Sequence, residues 1–433
     1  MREITFLTKS ARRPFNIVLV DQEIKSVFGN FFFLGIVQAT NAIIPLVILP
    51  YLLVTLGVEK FGQVAFVQSM MSYLIIVTDY GFNLTSTQKI VNNRGDRYIL
   101  SQIVTTTLII KFLLSVACFL ILAAIVFLIP QLRTDASLYF LGFSLVVGQM
   151  LLPTWFFQGV EKMHYLALIN GVAKILFTAM IFVLIVKPAD YRMVTVYLSL
   201  GNIVAGLFGI VVMFRKFELR ISSINFQIIK EELRNGSAIM FSNFAINAYI
   251  NSNIIVLGIF TNPLVTGFYS IAEKILYCLR QILNLFFQAT YPRVCKLVSE
   301  GHGRLIKFYK KLFVPFLVLI VMLCLSIFLF ANDISRLAID QNDQDLTLAI
   351  KVFSIVPIVI CLNIPAYQML LAYSFHKSAM AVLISGSIAN ITLNVSLAPG
   401  FGMLGTVAAV MITELFITVG LYQVIRTRQL NLL

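Results

Sequence analysis

The sequence predicts an all-α polytopic membrane protein with twelve transmembrane helices in two halves of six. Three observations predict this fold class: the composition, a series of long apolar segments, and a doubling of their pattern. Of the 433 residues, 59% are hydrophobic and 12% are charged, whereas soluble domains average about 45–50% and about 25%. A chain this apolar places its surface in a lipid bilayer, which is therefore its first predicted partner.

Twelve apolar segments are long enough to cross a bilayer, because a helical crossing needs ~20 residues. The first six lie near residues 30–53, 62–84, 101–128, 137–159, 166–186 and 193–214. The second six lie near residues 236–260, 266–290, 312–331, 350–372, 379–398 and 403–424. An even number of crossings places both ends of the chain on one side of the membrane.

The distribution of Lys and Arg gives the orientation of the chain. Segments on the same side as the termini carry 23 of these residues, and segments on the opposite side carry 6. Since basic residues are retained in the cytoplasm, both termini are predicted to be cytoplasmic. The net charge of +14 is therefore an orientation signal, and nucleic acid is not expected as a partner.

The two halves of the chain repeat one pattern. The first span begins near Asn30 and the seventh near Gly236, and in each half a glycine opens the next span, Gly62 or Gly267. Such repeats are typical of secondary transporters, which bind substrate between the repeats. The predicted units are a cytoplasmic lead, an N-lobe, a cytoplasmic linker, a C-lobe and a cytoplasmic tail, over residues 1–26, 27–214, 215–235, 236–425 and 426–433.

The cysteines and histidines follow no metal-binding or disulfide pattern. The five cysteines form no Cys-x-x-Cys or Cys/His spacing, and the three histidines fall in predicted cytoplasmic loops. Four of the cysteines lie in apolar runs, where a thiol behaves as a small hydrophobic group. We therefore expect no metal, no cofactor and no disulfide.

Polar side chains recur on one face of several predicted spans. Asn243, Asn247 and Asn251 repeat at four-residue intervals in span 7, which places them on one helical face. Span 1 contributes Asn41, and span 8 carries a longer stripe of Glu273, Tyr277, Arg280, Asn284 and Gln288. A single amide is explained by a bond to a neighbouring helix, at ~0.6–2 kcal/mol. Whole stripes favour a water-filled cavity that binds a polyhydroxylated ligand such as a sugar.

Three cationic side chains fall deep inside predicted spans, namely Lys111, Lys174 and Arg280. At ~1.5 Å per residue each lies ~12–15 Å from the cytoplasmic face. A charge at such depth costs at least ~2.5–3.5 kcal/mol and usually faces an internal cavity. The three together predict a positive, substrate-binding chamber; the alternative for Lys174 is extension to the lipid headgroups.

Three carboxylates are candidates for binding a coupling ion or a proton, namely Asp79, Glu273 and Glu414. Ionisable groups inside membrane helices commonly mark such pathways. Two of them have structural alternatives: Glu273 could pair with Lys274 or Arg280, and Asp79 could be an interfacial residue at a helix end.

Several stretches of the chain resemble polysaccharide flippases of the Wzx type. They are LPYLLVTLGVEKFG (49–62), DYGFNLTSTQKIVNNRGD (79–96), LPTWFFQGVEKM (152–163), FYSIAEKI (268–275), YPRV (291–294) and GFGMLGTVAAVMITEL (400–415). They occur in the family's order, and together they extend from about Gln38 to Glu414. This family belongs to the multidrug/oligosaccharidyl-lipid/polysaccharide exporter superfamily.

The resemblance implies two six-helix lobes around a central cavity in the bacterial inner membrane. It further implies a flippase, not an enzyme, that moves undecaprenyl-diphosphate-linked O-antigen repeat units from the cytoplasmic to the periplasmic leaflet. A polysaccharide polymerase and a chain-length regulator are the partners that it implies. Lys111, Lys174 and Arg280 fit the family's cationic lumen residues.

Two other functions are compatible with a polytopic chain. A drug or cation antiporter of the same superfamily would need carboxylates at the cavity floor, whereas the deep charges here are mostly Lys and Arg. A polysaccharide polymerase or ligase commonly works through a large outer loop carrying Arg and His. The longest predicted outer loop, about 332–349, has one Arg and no His.

The predicted orientation determines the outcome of topology-reporter fusions. Reporters fused after Asn262 and Gln341 should lie in the periplasm, and reporters after Gly95, Ser223 and His302 in the cytoplasm, because the basic loops stay inside. Alkaline phosphatase reports the outer positions and green fluorescent protein the inner ones. A single reversed position would refute the twelve-span order.

Overall fold

The structure is a computed structural model that describes residues 17–223, 226–300, 302–339 and 343–428. Side chains are described from residue 43 onward, apart from positions 166, 246, 249, 299, 300 and 302 within these ranges. The described part consists of helices and short turns and contains no β-strand. The all-α fold class predicted from the sequence is therefore confirmed.

Sixteen α-helices follow one another along the described chain. Helices α1 to α8 are Ile17–Asp79, Phe82–Asn92, Arg97–Leu128, Pro130–Arg133, Ala136–Gly142, Ser144–Leu151, Thr154–Gly159 and Met163–Leu184. Helices α9 to α16 are Tyr191–Lys216, Phe226–Phe260, Pro263–Glu300, His302–Phe308, Val314–Leu329, Ala331–Ile339, Gln344–Ala372 and His376–Thr427. A 3₁₀ turn over Pro188–Asp190 precedes α9, and a π-helical turn over Tyr309–Phe313 joins α12 to α13.

Two helices are long enough to cross a bilayer twice, and each breaks at a glycine. Helix α1 has 63 residues and leaves helical geometry at Gly57, where φ is 77°. Helix α16 has 52 residues and leaves helical geometry at Gly402, where φ is 54°. Glycine adopts a positive φ at little cost. The two glycines therefore turn the chain where the sequence predicts span 1 to meet span 2 and span 11 to meet span 12.

Helix length and hydropathy identify fewer membrane-crossing segments than the twelve that the sequence predicts. Among the described residues, eight helical segments are long and apolar enough to cross a membrane, and the bent helix α10 would be a ninth. Two of the eight, Ile43–Asn92 and His376–Thr427, have 50 and 52 residues, enough for two crossings each. Helix α11, at the position of predicted span 8, is not among them because polar side chains lower its hydropathy. The chain is a multi-pass membrane protein, and the count of twelve stays a prediction.

Helix α1 joins the first half of the chain to the second by packing along α10 and α11. A β-carbon at Gly62 would lie 2.0 Å from the carbonyl oxygen of Pro263 and 2.7 Å from the amide nitrogen of Gly267. A β-carbon at Gly267 would lie 2.2 Å from the carbonyl oxygen of Val58. The two glycines that open predicted spans 2 and 8 thus meet backbone against backbone, with no room for a side chain.

Apolar side chains lie both inside the bundle and on its outer surface. Trp155 and Phe156 are fully buried in an aromatic cluster beneath α2 and α9. On α13, by contrast, Val318, Met322 and Leu325 are exposed along the helix. Soluble proteins rarely expose contiguous apolar bands of this kind, and lipid is the environment that suits them.

Gly62→Ala should lower the thermal stability of the purified protein in detergent. The added methyl group would lie 2.0 Å from a backbone oxygen, and overpacking of this kind costs about 1–3 kcal/mol. Gly171→Ala is the matched control, because a β-carbon at this helical glycine has no atom within 4 Å. The control should be neutral or slightly stabilising, since alanine favours a helix over glycine. Equal melting temperatures of the two variants would contradict the close contact.

Candidate functional site

An ion pair in the first half of the chain contains one of the predicted cations. Lys111 on α3 places its Nζ 3.2 Å from Oδ1 of Asp79, at the end of the long helix α1. The Lys111 side chain is 2% exposed and the Asp79 side chain 16%. Because an unpaired charge at such a position would be costly, this pair ties α3 to α1.

Two further side chains hold the carboxylate of Asp79 in place. Asn83 on α2 donates from Nδ2 to Oδ2 of Asp79 at 2.7 Å. The hydroxyl of Thr154 on α7 donates to Oδ1 of Asn83 at 2.8 Å. Both carboxylate oxygens therefore accept a hydrogen bond, from Lys111 and from Asn83. Thr154 was not among the predicted site residues, although it lies in the LPTWFFQG stretch at the end of predicted span 4.

A second ion pair, in the other half of the chain, contains Arg280. Nη2 of Arg280 on α11 lies 2.8 Å from Oε1 of Glu414 on α16. The Arg280 side chain is 18% exposed and the Glu414 side chain 5%. The sequence allowed Glu273 as the partner of Arg280, and the structure instead places Glu414 against Nη2. Glu273 lies two turns earlier on α11 and is half-buried.

The structure thus combines two groups of residues that the sequence treated separately. Lys111 and Arg280 were assigned to a cationic chamber, and Asp79 and Glu414 to ion coupling. Each of these cations faces one of these carboxylates, so both positive charges are compensated in this conformation. The third cation, Lys174, is half-buried on α8 and belongs to neither pair. Its backbone packs against α9 at Gly201, where a β-carbon would lie 3.1 Å from the Lys174 Cα.

The three asparagines of span 7 lie where α10 bends. The segments Phe226–Ala245 and Ile250–Phe260 differ in direction by 59°. Asn247 donates from Nδ2 to the carbonyl oxygen of Asn243 at 3.0 Å, and Asn251 donates from Nδ2 to Oδ1 of Asn247 at 3.2 Å. Side-chain amides of this kind compete with helical backbone bonds, and such competition accompanies bends. All three asparagines are half-buried. Their predicted contact with sugar stays a prediction.

A second set of amides is buried between helices. Asn394 on α16 donates from Nδ2 to Oδ1 of Asn253 on α10 at 2.7 Å. Asn390 donates from Nδ2 to the hydroxyl of Thr413 at 3.3 Å. Asn390 and Asn394 are fully buried, and Asn253 is nearly so. These amides therefore form hydrogen bonds between neighbouring helical segments, which is the alternative that the sequence analysis gave for a single amide.

The remaining predicted residues lie mainly on α11. Tyr277 and Asn284 flank Arg280 at three- and four-residue intervals and are exposed, so one face of α11 presents an aromatic ring, a guanidinium and an amide. The side chain of Asn41 lies outside the described residues. Among those that are described, no group of three or more His, Cys, Asp or Glu residues could hold a metal ion.

Residues 27–298 match the family described as "Polysaccharide biosynthesis protein". The chain belongs to the polysaccharide biosynthesis protein family. It is 26% identical to a "Putative O-antigen transporter" of Escherichia coli (strain K12) over 94% of this chain and 98% of the relative. A protein of the same name from Shigella dysenteriae is 22% identical over 92% of this chain and 99% of its own. The resemblance to polysaccharide flippases is therefore confirmed at the level of the family.

Solved structures share the fold of this polysaccharide biosynthesis protein at low identity. "Lipid II flippase MurJ, inward closed conformation" has a TM-score of 0.63 and 12% identity, over 93% of this chain and 86% of that chain. An inward-facing "multidrug resistance MATE family transporter of the MOP superfamily" has a TM-score of 0.62 and 15% identity, over 89% of this chain and 98% of that chain. These likenesses establish a common fold.

Asp79→Asn should destabilise this polysaccharide biosynthesis protein because it leaves the charge of Lys111 without a partner. Removing one member of a buried ion pair costs about 3–5 kcal/mol. The double variant Asp79→Asn/Lys111→Met should recover most of the loss, since it removes both charges and keeps the side-chain volumes similar. The melting temperatures of the wild type, Asp79→Asn and the double variant are compared by thermal unfolding in detergent. A double variant no more stable than Asp79→Asn would show that the ion pair is not the cause.

Proposed function

We propose that this protein is a flippase for polyprenyl-diphosphate-linked oligosaccharides, specifically undecaprenyl-diphosphate-linked O-antigen units. It moves them from the cytoplasmic to the periplasmic leaflet of the bacterial inner membrane. The family, the names of the two relatives and the fold shared with a lipid II flippase support this function. The observation that carries it is the face of α11, where the partly exposed Arg280 lies between Tyr277 and Asn284.

A diphosphate group needs fixed positive charge in order to leave water. Arg280 offers a planar fork of donors that matches phosphate oxygens and stays charged at every physiological pH. In the structure, Glu414 compensates this charge, which avoids an isolated cation inside the bundle. A diphosphate carries more negative charge than one carboxylate, so it competes effectively for the guanidinium. Lys111 and Lys174 supply further positive charge in the first half of the chain.

The paired carboxylates give a route to ion coupling. When the diphosphate takes Arg280, Glu414 is left without this counter-charge in a poorly solvated place, and the same applies to Asp79 when Lys111 is engaged. An ion that enters from the periplasm as the substrate leaves compensates the carboxylate. This ion is released to the cytoplasm when the carboxylate returns to its arginine or lysine, so it moves in the direction opposite to the substrate. Glu273, half-buried on α11, is a third group that can take part.

The sugar part of the substrate needs hydrogen bonds and aromatic surface. The half-buried Asn243, Asn247 and Asn251 at the bend of α10, with Asn284 and Tyr277 on α11, offer both. Amides donate and accept at once, which suits hydroxyl groups. Asn41 on predicted span 1, whose side chain lies outside the described residues, stays a predicted member of this polar wall. A polymerase that joins the exported units, with its chain-length regulator, would act on the product at the outer face.

A drug or cation antiporter of the same superfamily is the alternative function. Such a transporter would bind its substrate through a buried acid. Glu414 accepts a hydrogen bond from Arg280, and Asp79 accepts from Lys111, so these two pairs engage the acids and the cations alike. The names of the two relatives and the fold shared with a lipid II flippase favour the lipid-linked, anionic substrate.

Variants of Arg280 test the proposed function directly. Purified protein in vesicles is given a fluorescent polyprenyl-diphosphate oligosaccharide, and lectin capture measures the fraction that reaches the opposite leaflet. Arg280→Lys should keep part of the rate, because it keeps the charge and loses the fork. Arg280→Ala should reduce the rate at least tenfold, which corresponds to about 1.4 kcal/mol.

The double variant Arg280→Ala/Glu414→Ala separates transport from stability. It removes both charges, so no unpaired charge remains, and the protein should reach the membrane at near-normal levels. Transport should still fail, because the diphosphate lacks its cation. Normal transport per molecule in this double variant would refute the role of Arg280 in substrate binding.

A further inference from the structure

A cavity of about 300 Å³ lies between the first and second halves of the chain, at the face predicted to be cytoplasmic. It is bounded by α2, α3 and the beginning of α10. Its polar lining consists of Lys89, Asn93, Gln102, Thr106 and Glu232, and three isoleucines complete the wall. None of these polar residues was among the predicted site residues. The cavity therefore lies outside the site that the sequence predicts.

An ion pair between Lys89 and Glu232 closes one side of this cavity and joins α2 to α10. The Lys89 side chain is 36% exposed, whereas the Glu232 side chain is 8% exposed. The second carboxylate oxygen of Glu232, Oε2, is buried and has no hydrogen-bond partner among the described residues. Lys89 is thus the principal compensation for a carboxylate that is held away from water.

The backbone packs tightly beside this ion pair. A β-carbon at Gly236 on α10 would lie 2.8 Å from the carbonyl oxygen of Tyr80. A β-carbon at Gly81 would lie 2.7 Å from Cγ2 of Ile239. The start of α10 is therefore fixed against the end of α1 and the start of α2, and the ion pair is the charged part of this contact.

Two other ion pairs near the same predicted face have more exposed acids and do not join α2 to α10. Arg94 pairs with Glu161 and Arg97 pairs with Glu218. Their acidic side chains are 46% and 65% exposed, and exposed pairs of this kind contribute little. Neither pair involves α10, because Glu161 follows α7 and Glu218 follows α9. The Lys89–Glu232 pair alone among these three bridges the two halves with a buried acid.

We propose that the cavity at Lys89 is the loading site for a diphosphate group, and that the diphosphate displaces Glu232 from Lys89. Displacement releases the start of α10 from α2 and opens the cytoplasmic side of the protein. The identity of the natural ligand rests on the proposed function above. Lys89 is then the residue that admits the substrate before Arg280 binds it.

The chemistry of the cavity fits this ligand. The Lys89 ammonium has three donors, and the side chains of Asn93, Gln102 and Thr106 add amide and hydroxyl donors. A volume of about 300 Å³ corresponds to about ten water molecules at ~30 Å³ each, which leaves room for a diphosphate group. The bound anion repels Glu232 and removes its counter-charge, so the carboxylate moves toward water and the contact between the halves loosens.

The isoleucines favour a lipid-linked diphosphate over a free one. Ile99 and Ile103 on α3 and Ile228 on α10 line the cavity and are half-buried. A prenyl chain attached to the diphosphate can pack on them, whereas inorganic diphosphate gains nothing from apolar contact. Farnesyl diphosphate should therefore bind more tightly than inorganic diphosphate, and farnesyl monophosphate more weakly than farnesyl diphosphate.

Hydrogen–deuterium exchange of the full-length protein in lipid nanodiscs tests the displacement. Saturating farnesyl diphosphate should increase amide exchange over residues 226–240 of α10 and 82–92 of α2. Lys89→Met should show the increased exchange without ligand and no further response, because Glu232 has already lost its partner. Protection of residues 226–240 by farnesyl diphosphate, or no change there at saturation, would overturn the proposal.

Binding measurements on two matched variants test the competition. Glu232→Gln should bind farnesyl diphosphate about tenfold more tightly, which corresponds to about 1.4 kcal/mol, because the competing charge is gone. Glu161→Gln, in the exposed pair with Arg94, should leave the affinity unchanged. An unchanged affinity in Glu232→Gln, or an equal gain in Glu161→Gln, would refute displacement at this site.

The two proposals fail in different ways. If the vesicle assay shows transport of the lipid-linked oligosaccharide and Lys89→Met transports and responds normally, only the loading site is wrong. If farnesyl diphosphate opens α10 in the wild type and no oligosaccharide is transported, the site binds a diphosphate and the flippase function is wrong. Equal affinities for inorganic and farnesyl diphosphate would assign the site to a soluble diphosphate and overturn the lipid-linked source.

Discussion

Compensation of buried charge is the constraint on which the interior of this protein depends. An ionised group in a membrane-embedded bundle is tolerated when an opposite charge lies against it. Lys111 with Asp79 and Arg280 with Glu414 meet this requirement across separate helices. Each pair therefore fixes the position of two helices and, in the proposed function, keeps a cation ready for an anionic substrate without leaving it isolated.

The fold class was predictable because the bilayer imposes strong rules on sequence. Apolar segments of sufficient length and the family motifs predicted an all-α multi-pass chain, which the structure contains. The ion pairs were not predictable, because their members are 32 and 134 residues apart. Sequence periodicity reports which residues share a helical face, and it carries no information about which face of a distant helix packs against it. Lys111 and Asp79 were therefore assigned to different roles.

The asparagines show a second limit of prediction from sequence. Asn243, Asn247 and Asn251 share a helical face, and their pattern alone does not reveal a bend of 59° in α10 at that position. Asn253, only two residues further along, is buried against Asn394. One short stretch thus supplies both hydrogen bonds between helices and half-buried amides at a bend. The two interpretations of a polar stripe, bonds between helices and the lining of a cavity, therefore apply to neighbouring residues of one helix, and neither has to hold for the whole stripe.

The contact between the two halves of the chain differs at the two predicted faces of the membrane. On the predicted periplasmic side, Gly62 and Gly267 bring backbone against backbone, and no ligand can substitute for a steric contact of this kind. On the predicted cytoplasmic side, close packing at Gly81 and Gly236 is accompanied by the Lys89–Glu232 pair, in which a stronger anion can take the place of the carboxylate. A diphosphate arriving from the cytoplasm would therefore weaken the contact on the side from which it comes and leave the contact between Gly62 and Gly267 unchanged.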